Sequence, residues 1–302
     1  MGRPYILGNI QISPINMHGK VCLVTGGTSG IGKETARELA RLGASVVIVG
    51  RNIDRAITAV SEIQKDTGNN LIEFIIADLS SQASIHNLAG KFLASYTKLD
   101  VLINNAGKIF LSRQTSVDGI EMTFALNHLS YFLLTRLLIE SLLLASPSRI
   151  VNVSSTAHHN TIIDFNDIEC RRRYLLGIKA YRSSKLCNVL FTYELARRLK
   201  GTGVTANALH PGVVSTNLLS DNGFWGPILT YLLKLRGISS NQGANTSVYL
   251  ATSPTVTEET GKYFYNCEPI ASSDLSYDCL TSDKLWTLSS NLTGTTERGI
   301  RL

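Results

Sequence analysis

The stretch from Lys20 to Leu42 constrains the fold more than any other part of the sequence. A short apolar run, KVCLVT, leads directly into GGTSGIG, and a helical pattern of residues follows until Gly43. Such an apolar run with β-branched residues is typical of a buried parallel strand. Glycines between strand and helix let the backbone approach a pyrophosphate, whose charge the helix N-terminus stabilises. The stretch therefore predicts a nucleotide-binding unit, although a glycine-rich turn without a ligand would have the same pattern.

The alternation of strand and helix patterns continues along most of the chain. Further strands are predicted at 45–49, 71–77, 100–103, 149–153, 204–209 and 262–266, and further helices at 53–65, 81–96, 117–145, 180–195 and 241–252. Strands and helices that alternate without long gaps indicate parallel strands with right-handed crossovers. The sequence therefore predicts an α/β fold, a doubly wound parallel sheet of the Rossmann type with about seven strands and helices on both faces.

We expect one domain over residues 1–302, because a chain of this length with 44% hydrophobic residues has ample material for one core. The core is predicted at about 19–270. Residues 217–240 are rich in large apolar side chains beyond a strand end, which predicts a substrate lid or, equally, a packed surface helix. A polar tail at about 282–302 is expected to be loosely ordered.

Tyr181 and Lys185 are the first candidates for catalysis. They stand four residues apart in the predicted helix, so they share one face of it. A free phenol titrates near ~10, and a lysine charge about 5 Å away would stabilise the phenolate by about 3 kcal/mol at an effective dielectric of ~20. That would bring the pKa of Tyr181 toward neutral pH. A Tyr and a Lys that meet by chance on a solvated helix face are the alternative.

Several polar segments are predicted to share the carboxyl edge of the sheet with the glycine turn. Ser154 and Ser155 follow the strand at 149–153, and the turn Asn104-Asn105-Ala106-Gly107 follows the strand at 100–103. Ligands of such sheets bind at this edge. His158 and His159 lie in the irregular stretch before Tyr181, and we expect a solvated or structural role for them.

Arg51 is the main indicator of cofactor choice. An acidic residue at the end of the second strand binds the ribose 2′-hydroxyl of NAD, whereas an arginine there suits the 2′-phosphate of NADP. Arg51 follows the strand at 45–49, and the nearest acid, Asp54, is expected in the next helix. NADP(H) is therefore predicted over NAD(H), with a solvated loop charge as the alternative for Arg51.

Five motifs in register resemble the short-chain dehydrogenase/reductase family over about residues 19–270. They are Thr25-Gly26-x-x-x-Gly30-x-Gly32, the turn at 104–107, Ser155, Tyr181-x-x-x-Lys185 and Pro211-Gly212. The segments IVNVSSTAHH and AYRSSKLCNVLF, and the 26 residues between Ser155 and Tyr181, are most similar to the retinol dehydrogenase-like branch. The tyrosine segment is also similar to that of light-dependent protochlorophyllide reductases.

The resemblance implies a role for each matching residue. It makes Tyr181 the general acid/base, Lys185 the modulator of its pKa and a ligand of the nicotinamide ribose, and Ser155 the donor to the substrate carbonyl. Asn127 would hold a water that relays protons to Lys185. The implied cofactor-binding residues are Gly26, Thr28, Ser29, Gly30, Ile31, Gly32, Arg51, Asn52, Asp78, Leu79, Asn105, Ala106, Gly107, Tyr181, Lys185, Pro211, Gly212, Val214 and Thr216.

Composition narrows the partners and the compartment. The net charge of +6 comes from scattered residues without a basic stripe interleaved with aromatics, so nucleic acid is not expected as a partner. Five widely spaced cysteines predict reduced thiols, a cytoplasmic location and no metal site. We expect no transmembrane segment, since Arg136 and Glu140 interrupt the longest apolar run and residues 1–20 have neither the apolar core of a signal peptide nor the length of an anchor. A peripheral membrane contact and association of identical subunits remain open.

The sequence thus favours an NADP(H)-dependent oxidoreductase (EC 1.1.1.-) that transfers a hydride between nicotinamide and an apolar alcohol, aldehyde or ketone of retinoid, steroid or lipid type. Two alternatives remain. One is a nucleotide-binding scaffold that has lost turnover, and the other is a light-dependent tetrapyrrole reductase.

Overall fold

The computed structural model describes residues 16–212, 222 and 239–295, together with the main chain of two short strands that precede them. These strands, β1 (Tyr5–Leu7) and β2 (Ile10–Ile12), pair antiparallel in a sheet of their own. The other strands form one eight-stranded sheet: β3 (Val21–Thr25), β4 (Ser45–Gly50), β5 (Ile72–Ile76), β6 (Val101–Asn104), β7 (Ser148–Val153), β8 (Val204–Leu209), β9 (Tyr263–Tyr265) and β10 (Glu268–Ile270).

The order of the strands confirms the predicted doubly wound fold. Across the sheet the order is β10-β9-β8-β7-β6-β3-β4-β5, and every pair is parallel except β9 with β10. The chain moves outward from β3 to β5 and then returns to the other side of β3 with β6. The order therefore reverses between β3 and β6, and the crevice at their carboxyl ends is where such sheets bind ligands.

Helices cover both faces of the sheet. Within the described residues they are α1 (Gly30–Arg41), α2 (Ile53–Thr67), α3 (Gln82–Ser95), α4 (Met122–Leu144), α5 (Ile178–Arg198), α6 (Ser240–Thr252) and α7 (Cys279–Thr293). The alternation of side chains along β3 shows the two layers: Leu23 packs with residues of α3, α4 and α5, while Cys22 and Val24 pack with residues of α1, α2 and α6.

Helix α4 begins later than the pattern predicted. The sequence indicated a start at Val117, but Val117 is exposed and the helix begins at Met122. Glu121 sets this start, because its buried carboxylate accepts hydrogen bonds from the main-chain N–H of Thr123 (2.8 Å) and Phe124 (2.7 Å). A glutamate in this capping position is not a strong sequence signal, which explains the error.

The prediction of a loosely ordered tail after Ser282 is wrong for residues up to Thr293. They lie in α7, which packs against α5 and buries Trp286. The indole ring lies 5.0 Å from the ring of Phe132 and 6.0 Å from that of Phe191, centroid to centroid. The core therefore extends well beyond residue 270. Small buried residues such as Ser282 and Ser289 made the helix look polar in the sequence.

Candidate active site

One buried hydroxyl joins the two turns at the reversal point of the sheet. Thr25 Oγ1, at the end of β3, accepts from the main-chain N–H of Asn105 (2.8 Å) and of Ala106 (3.1 Å). In return, Asn105 donates from Nδ2 to the main-chain O of Thr25 at 2.8 Å. The glycine turn after β3 and the turn after β6 are thereby held side by side, which brings the two predicted cofactor segments together.

The glycine turn has no room for side chains. Gly26 has a φ of +66°, and a Cβ on Gly32 would lie 2.3 Å from the main-chain O of Gly26 and 2.4 Å from Nδ2 of Asn105. Ser29, which precedes α1, makes no side-chain cap on that helix within the described residues. The Ser29 side chain therefore accepts no hydrogen bond from the first-turn N–H groups of α1. These donors can face a pyrophosphate, and the narrow glycine turn fits that group at the helix N-terminus.

Arg51 and Asn52 form the exposed link between β4 and α2. Asn52 Oδ1 accepts from the main-chain N–H of Arg55 at 2.9 Å, so it caps α2. Thr28 of the glycine turn lies against this link, since a Cβ on Gly50 would be 2.5 Å from Thr28 Cγ2. The structure therefore places Arg51 directly beyond the contact between β4 and the glycine turn.

Asp78 and Leu79, after β5, differ in accessibility. Asp78 is exposed, and its Oδ1 accepts from the N–H (3.0 Å) and the hydroxyl (2.8 Å) of Ser80. Leu79 is only 5% exposed and packs with Leu88 and Ala89 of α3. Most of the Leu79 side chain thus belongs to the core, so a cofactor contact by Leu79 would rest mainly on its main chain.

Asn127 lies in a π-helical turn, Ala125–Leu129, inside α4. Its buried side chain accepts from the N–H of Lys108 at 2.9 Å and donates to the carbonyl oxygen of Lys108 at 3.0 Å and to Ser184 Oγ at 3.1 Å. These bonds tie the loop after β6 to α5, the helix that carries Tyr181. Because a π turn is rare and concentrates at functional sites, it marks this part of α4.

Lys185 and Tyr181 lie close together at the end of β7. Lys185 Nζ is 5.8 Å from the centroid of the Tyr181 ring and the same distance from the ring of Tyr131. The ammonium group donates to the main-chain O of Val153 at 3.0 Å. Gly107 is also close, since a Cβ on it would lie 3.5 Å from Lys185 Nζ and 3.3 Å from Asn127 Oδ1.

Burial dominates the titration of both groups. Burial lowers the pKa of Lys185 from 10.5 to about 7, since the side chain is almost completely enclosed. Burial raises the pKa of Tyr181 above 10, and a hydrogen bond with the side chain of Ser155 opposes that rise. The pKa of Tyr181 is therefore raised and not lowered as the spacing predicted, because the burial of the phenol is the largest influence on it.

Ser155 is the N-cap of a short 3₁₀ turn, Thr156–His158. Its Oγ accepts from the main-chain N–H of Ala157 at 3.2 Å. That bond uses a lone pair of the hydroxyl and leaves its proton available for donation. Ser155 can therefore donate toward Tyr181 or a carbonyl placed beside it.

The predicted nicotinamide segment is described only in part. Pro211 and Gly212 follow the end of β8; Gly212 has a φ of +84°, and its N–H donates to Nδ1 of His210 at 3.2 Å. Val214 and Thr216 lie outside the described residues, as does most of the predicted lid at 217–240. Asn222 is described: its amide pairs with the main chain of the loop after β6, at Leu111 N–H (2.7 Å) and Ile109 O (2.8 Å).

Several residues of the site were not identified from the sequence. Thr25 holds the two turns together, and the main-chain O of Val153 accepts from Lys185, from Asn188 Nδ2 at 3.4 Å and from Tyr131 at 3.5 Å. Thr25 belongs to the glycine motif found in the sequence, but that motif does not indicate its bonds to the turn after β6, and a main-chain carbonyl carries no sequence signal of its own. Their partners come from segments far apart in the chain, so only the fold reveals them.

Helix α4 is long and apolar enough to cross a membrane by length and composition. However, 83% of its most apolar window is buried inside the protein, as in the core helix of a globular enzyme.

The five cysteines are free thiols, and Cys279 is the exposed one.

Comparison with known proteins agrees with this geometry. The family model described as short chain dehydrogenase matches residues 20–223. Retinol dehydrogenase 12 from Mus musculus is 42% identical over 97% of this chain and 92% of its own length. Polyprenol dehydrogenase from Homo sapiens is 40% identical over 91% of this chain and 85% of its own length.

A solved structure from Beutenbergia cavernae, described as an NAD(P)-dependent gluconate 5-dehydrogenase with NADP bound at low occupancy, is also similar. It has a TM-score of 0.66 and 26% identity, covering 84% of this chain and 97% of that one. The family model alone spans more than half of the sequence, and it does so over the segments that build the crevice. The chain therefore belongs to the short-chain dehydrogenase family of oxidoreductases, and it resembles the retinol dehydrogenases within that family.

Proposed function

We propose that this protein is an NADP(H)-dependent oxidoreductase that interconverts an apolar alcohol and its aldehyde or ketone. The observation that carries the proposal is the convergence of Ser155, Tyr181 and Lys185 at the end of β7, beside Gly107 and the Thr25-linked turns. When bound, the nicotinamide cofactor supplies or accepts the hydride.

Each side chain has a distinct part in the proposed reaction. Tyr181 gives a proton to the carbonyl oxygen during reduction and removes it from the alcohol during oxidation. The Ser155 hydroxyl donates to the same oxygen, and that bond strengthens as alkoxide charge develops. Lys185, in its charged form, stabilises the phenolate of Tyr181 and binds the ribose next to the nicotinamide. Asn127 orients the loop after β6 and, as proposed from the family, holds a water near Lys185.

Arg51 supports the choice of NADP. Its exposed guanidinium follows β4, next to the glycine turn, and no acidic residue lies between Gly50 and Ile53 to accept the ribose hydroxyl of NAD. A 2′-phosphate would gain a charge-assisted partner there.

The substrate class is proposed from the apolar residues of segment 217–240 and from the relatives. Two of them are named for retinol and for polyprenol, both apolar alcohols. Phe224, Trp225, Ile228, Leu229, Leu232 and Leu233 fall outside the described residues, but their composition suits such a chain. The cytoplasmic location and a peripheral membrane contact of this segment remain predictions.

A substrate series tests the proposal. Purified protein is assayed with NADPH and NADH on straight-chain aldehydes and on retinal, and cofactor consumption is measured. We expect NADPH to be preferred and kcat/KM to rise with chain length, since each buried methylene contributes about 0.8 kcal/mol. Binding of NADPH with no consumption on any carbonyl compound would contradict an enzymatic function. A flat chain-length profile would contradict only the apolar substrate class.

A further inference from the structure

His158 makes two hydrogen bonds whose directions can be assigned. Its Nε2 lies 3.1 Å from the main-chain nitrogen of Ser273, and its Nδ1 lies 2.6 Å from the main-chain O of Ser155. A main-chain N–H can only donate, so Nε2 is the acceptor and carries no proton. A main-chain carbonyl can only accept, so Nδ1 carries the proton. The two contacts thus require one tautomer of a neutral ring.

The surroundings of the ring favour that neutral tautomer. His158 is fully buried, and burial together with nearby His159 and His210 lowers its pKa to about 4. Its ring is enclosed between that of His159, at 4.1 Å, and that of Tyr263, at 4.8 Å. The ring therefore stays uncharged at neutral pH and has little freedom to turn over.

The hydrogen bond from the His158 ring is made to Ser155, the residue proposed to donate to the substrate. The carbonyl of Ser155 accepts twice from His158, once from its main-chain N–H at 3.1 Å and once from its ring. Ser155 Oγ is meanwhile held by the N–H of Ala157. The main chain and the hydroxyl of Ser155 are thus both fixed from within the same short turn.

We propose that His158 is a positioning residue for the reaction: its ring donates to Ser155 and holds that residue in place, and the N–H of Ser273, between β10 and α7, fixes the ring tautomer that can donate. This inference rests on the proposed role of Ser155 and extends it. Through His158, the part of the chain beyond β10 would contribute to catalysis without touching the substrate. A buried ring that is fixed at both nitrogens is well suited to this, because active-site donors must be held within a fraction of an ångström.

Two substitutions separate the two bonds. His158→Asn places an amide N–H where Nδ1 is and so can keep the bond to Ser155, but it is too short to reach Ser273. His158→Gln can place its carbonyl oxygen where Nε2 is and keep the bond from Ser273, but it offers no donor at the Nδ1 position. We expect kcat of His158→Asn to stay within about threefold of wild type and kcat of His158→Gln to fall by about tenfold or more. KM for the cofactor should not change in either variant.

Measuring the melting temperature beside kcat separates a purely structural role of His158 from a positioning role. If His158 only supports the fold, its variants should lower the melting temperature while kcat per folded molecule stays close to that of wild type. If it positions Ser155, His158→Gln should lose more kcat than His158→Asn regardless of which is more stable. Equal losses in the two variants, or losses that follow stability, would overturn the proposal.

Ser273 offers a second, matched pair. Its φ of −65° is compatible with proline, so Ser273→Pro removes the N–H donor with little backbone strain. Its hydroxyl has no hydrogen-bond partner among the described residues, so Ser273→Ala is the control. We expect Ser273→Pro to lower kcat severalfold, since the ring can then adopt the other tautomer, and Ser273→Ala to behave like wild type. Wild-type kcat in Ser273→Pro would contradict the link.

A measurement independent of turnover completes the test. Nitrogen-15 NMR of labelled histidine at neutral pH, with His158 assigned by its loss in His158→Asn, should show the Nδ1–H tautomer. The Nε2–H tautomer would overturn the inference. Absence of turnover in the wild type would count against the proposed function instead, and turnover that depends on Ser155 but not on His158 would count against this inference alone.

Discussion

Lys185 Nζ donates to the main-chain O of Val153 at 3.0 Å, so the amine that lies 5.8 Å from the rings of both Tyr131 and Tyr181 is bound to the last residue of β7. Asn188 and Tyr131 donate to the same oxygen at longer distances. A carbonyl has two lone pairs, so these three donors share an acceptor that satisfies two of them fully. Lys185 can therefore leave Val153 for another partner without stranding that carbonyl.

The low pKa of Lys185 predicts a pH-dependent stability. The folded protein releases the proton near pH 7, whereas the unfolded chain keeps it up to about 10.5. Between these values the unfolded state binds more protons, so the free energy of unfolding should rise with pH by up to ~1.4 kcal/mol per pH unit from this residue. Below pH 7 the residue adds no slope. Lys185→Met should lack the rise, as measured by urea unfolding from pH 7 to 9.5 without cofactor. Equal slopes in both proteins would contradict the assigned pKa.

Tyr181→Phe should abolish turnover and leave NADPH affinity within a few-fold of wild type. The substitution removes the phenolic proton donor and keeps the ring. Lys185→Ala should weaken both turnover and NADPH binding, because the lysine is proposed to serve the phenol and the ribose. Fluorescence titration of NADPH and steady-state assays give the two quantities. Equal losses of NADPH affinity in the two variants would refute this division of roles.

Arg51→Asp should reverse the cofactor preference. A carboxylate would repel the 2′-phosphate of NADPH and accept from the 2′-hydroxyl of NADH, so kcat/KM should fall far more with NADPH than with NADH. Arg55, also exposed but one helical turn further on, gives a matched control in Arg55→Asp. An unchanged ratio of NADPH to NADH in Arg51→Asp would assign the preference to another residue.

Thr25→Val should weaken the contact between the glycine turn after β3 and the turn after β6. Valine has nearly the same shape but no oxygen, so the N–H groups of Asn105 and Ala106 would lose their acceptor. A fully buried N–H left unsatisfied costs about 1–3 kcal/mol, and these two are partly buried, so both stability and NADPH affinity should fall by less than that range allows for two groups. Thr25→Ser keeps the hydroxyl and should retain most of both. Chemical unfolding and NADPH titration test this, and wild-type affinity in Thr25→Val would show that the turns hold their places independently.

Much of the fold could be predicted because it follows from local patterns. The strands from β3 to β9 are apolar runs, and the order of strands and helices dictates the parallel sheet. Strand β10 was missed, since the turn before it uses Asn266 and Cys267 at positive φ (49° and 67°) in place of a glycine. Cysteine is an uncommon residue in that conformation, so the sequence carries little signal for the hairpin.

The candidate site was predictable where residue type alone indicates chemistry. Ser155, Tyr181, Lys185 and Asn127 do lie together, although their roles stay predictions until tested. The pKa of Tyr181 could not be obtained from spacing, because spacing fixes a distance and not the desolvation of the two groups. The link through His158 was equally hidden: its partner Ser273 is distant in the chain, and a pair of adjacent histidines by itself indicates no partner.

The position of Trp286 has a consequence for biosynthesis. The indole packs between Phe132 of α4 and Phe191 of α5, and the guanidinium of Arg198 lies 4.3 Å over its ring. The helix that carries Tyr181 therefore lacks this one of its packing partners until residue 286 has been made. During translation residue 286 must emerge from the ribosome before this part of the core can close, so until then the nascent chain exposes the aromatic faces of Phe132 and Phe191, which chaperones can recognise.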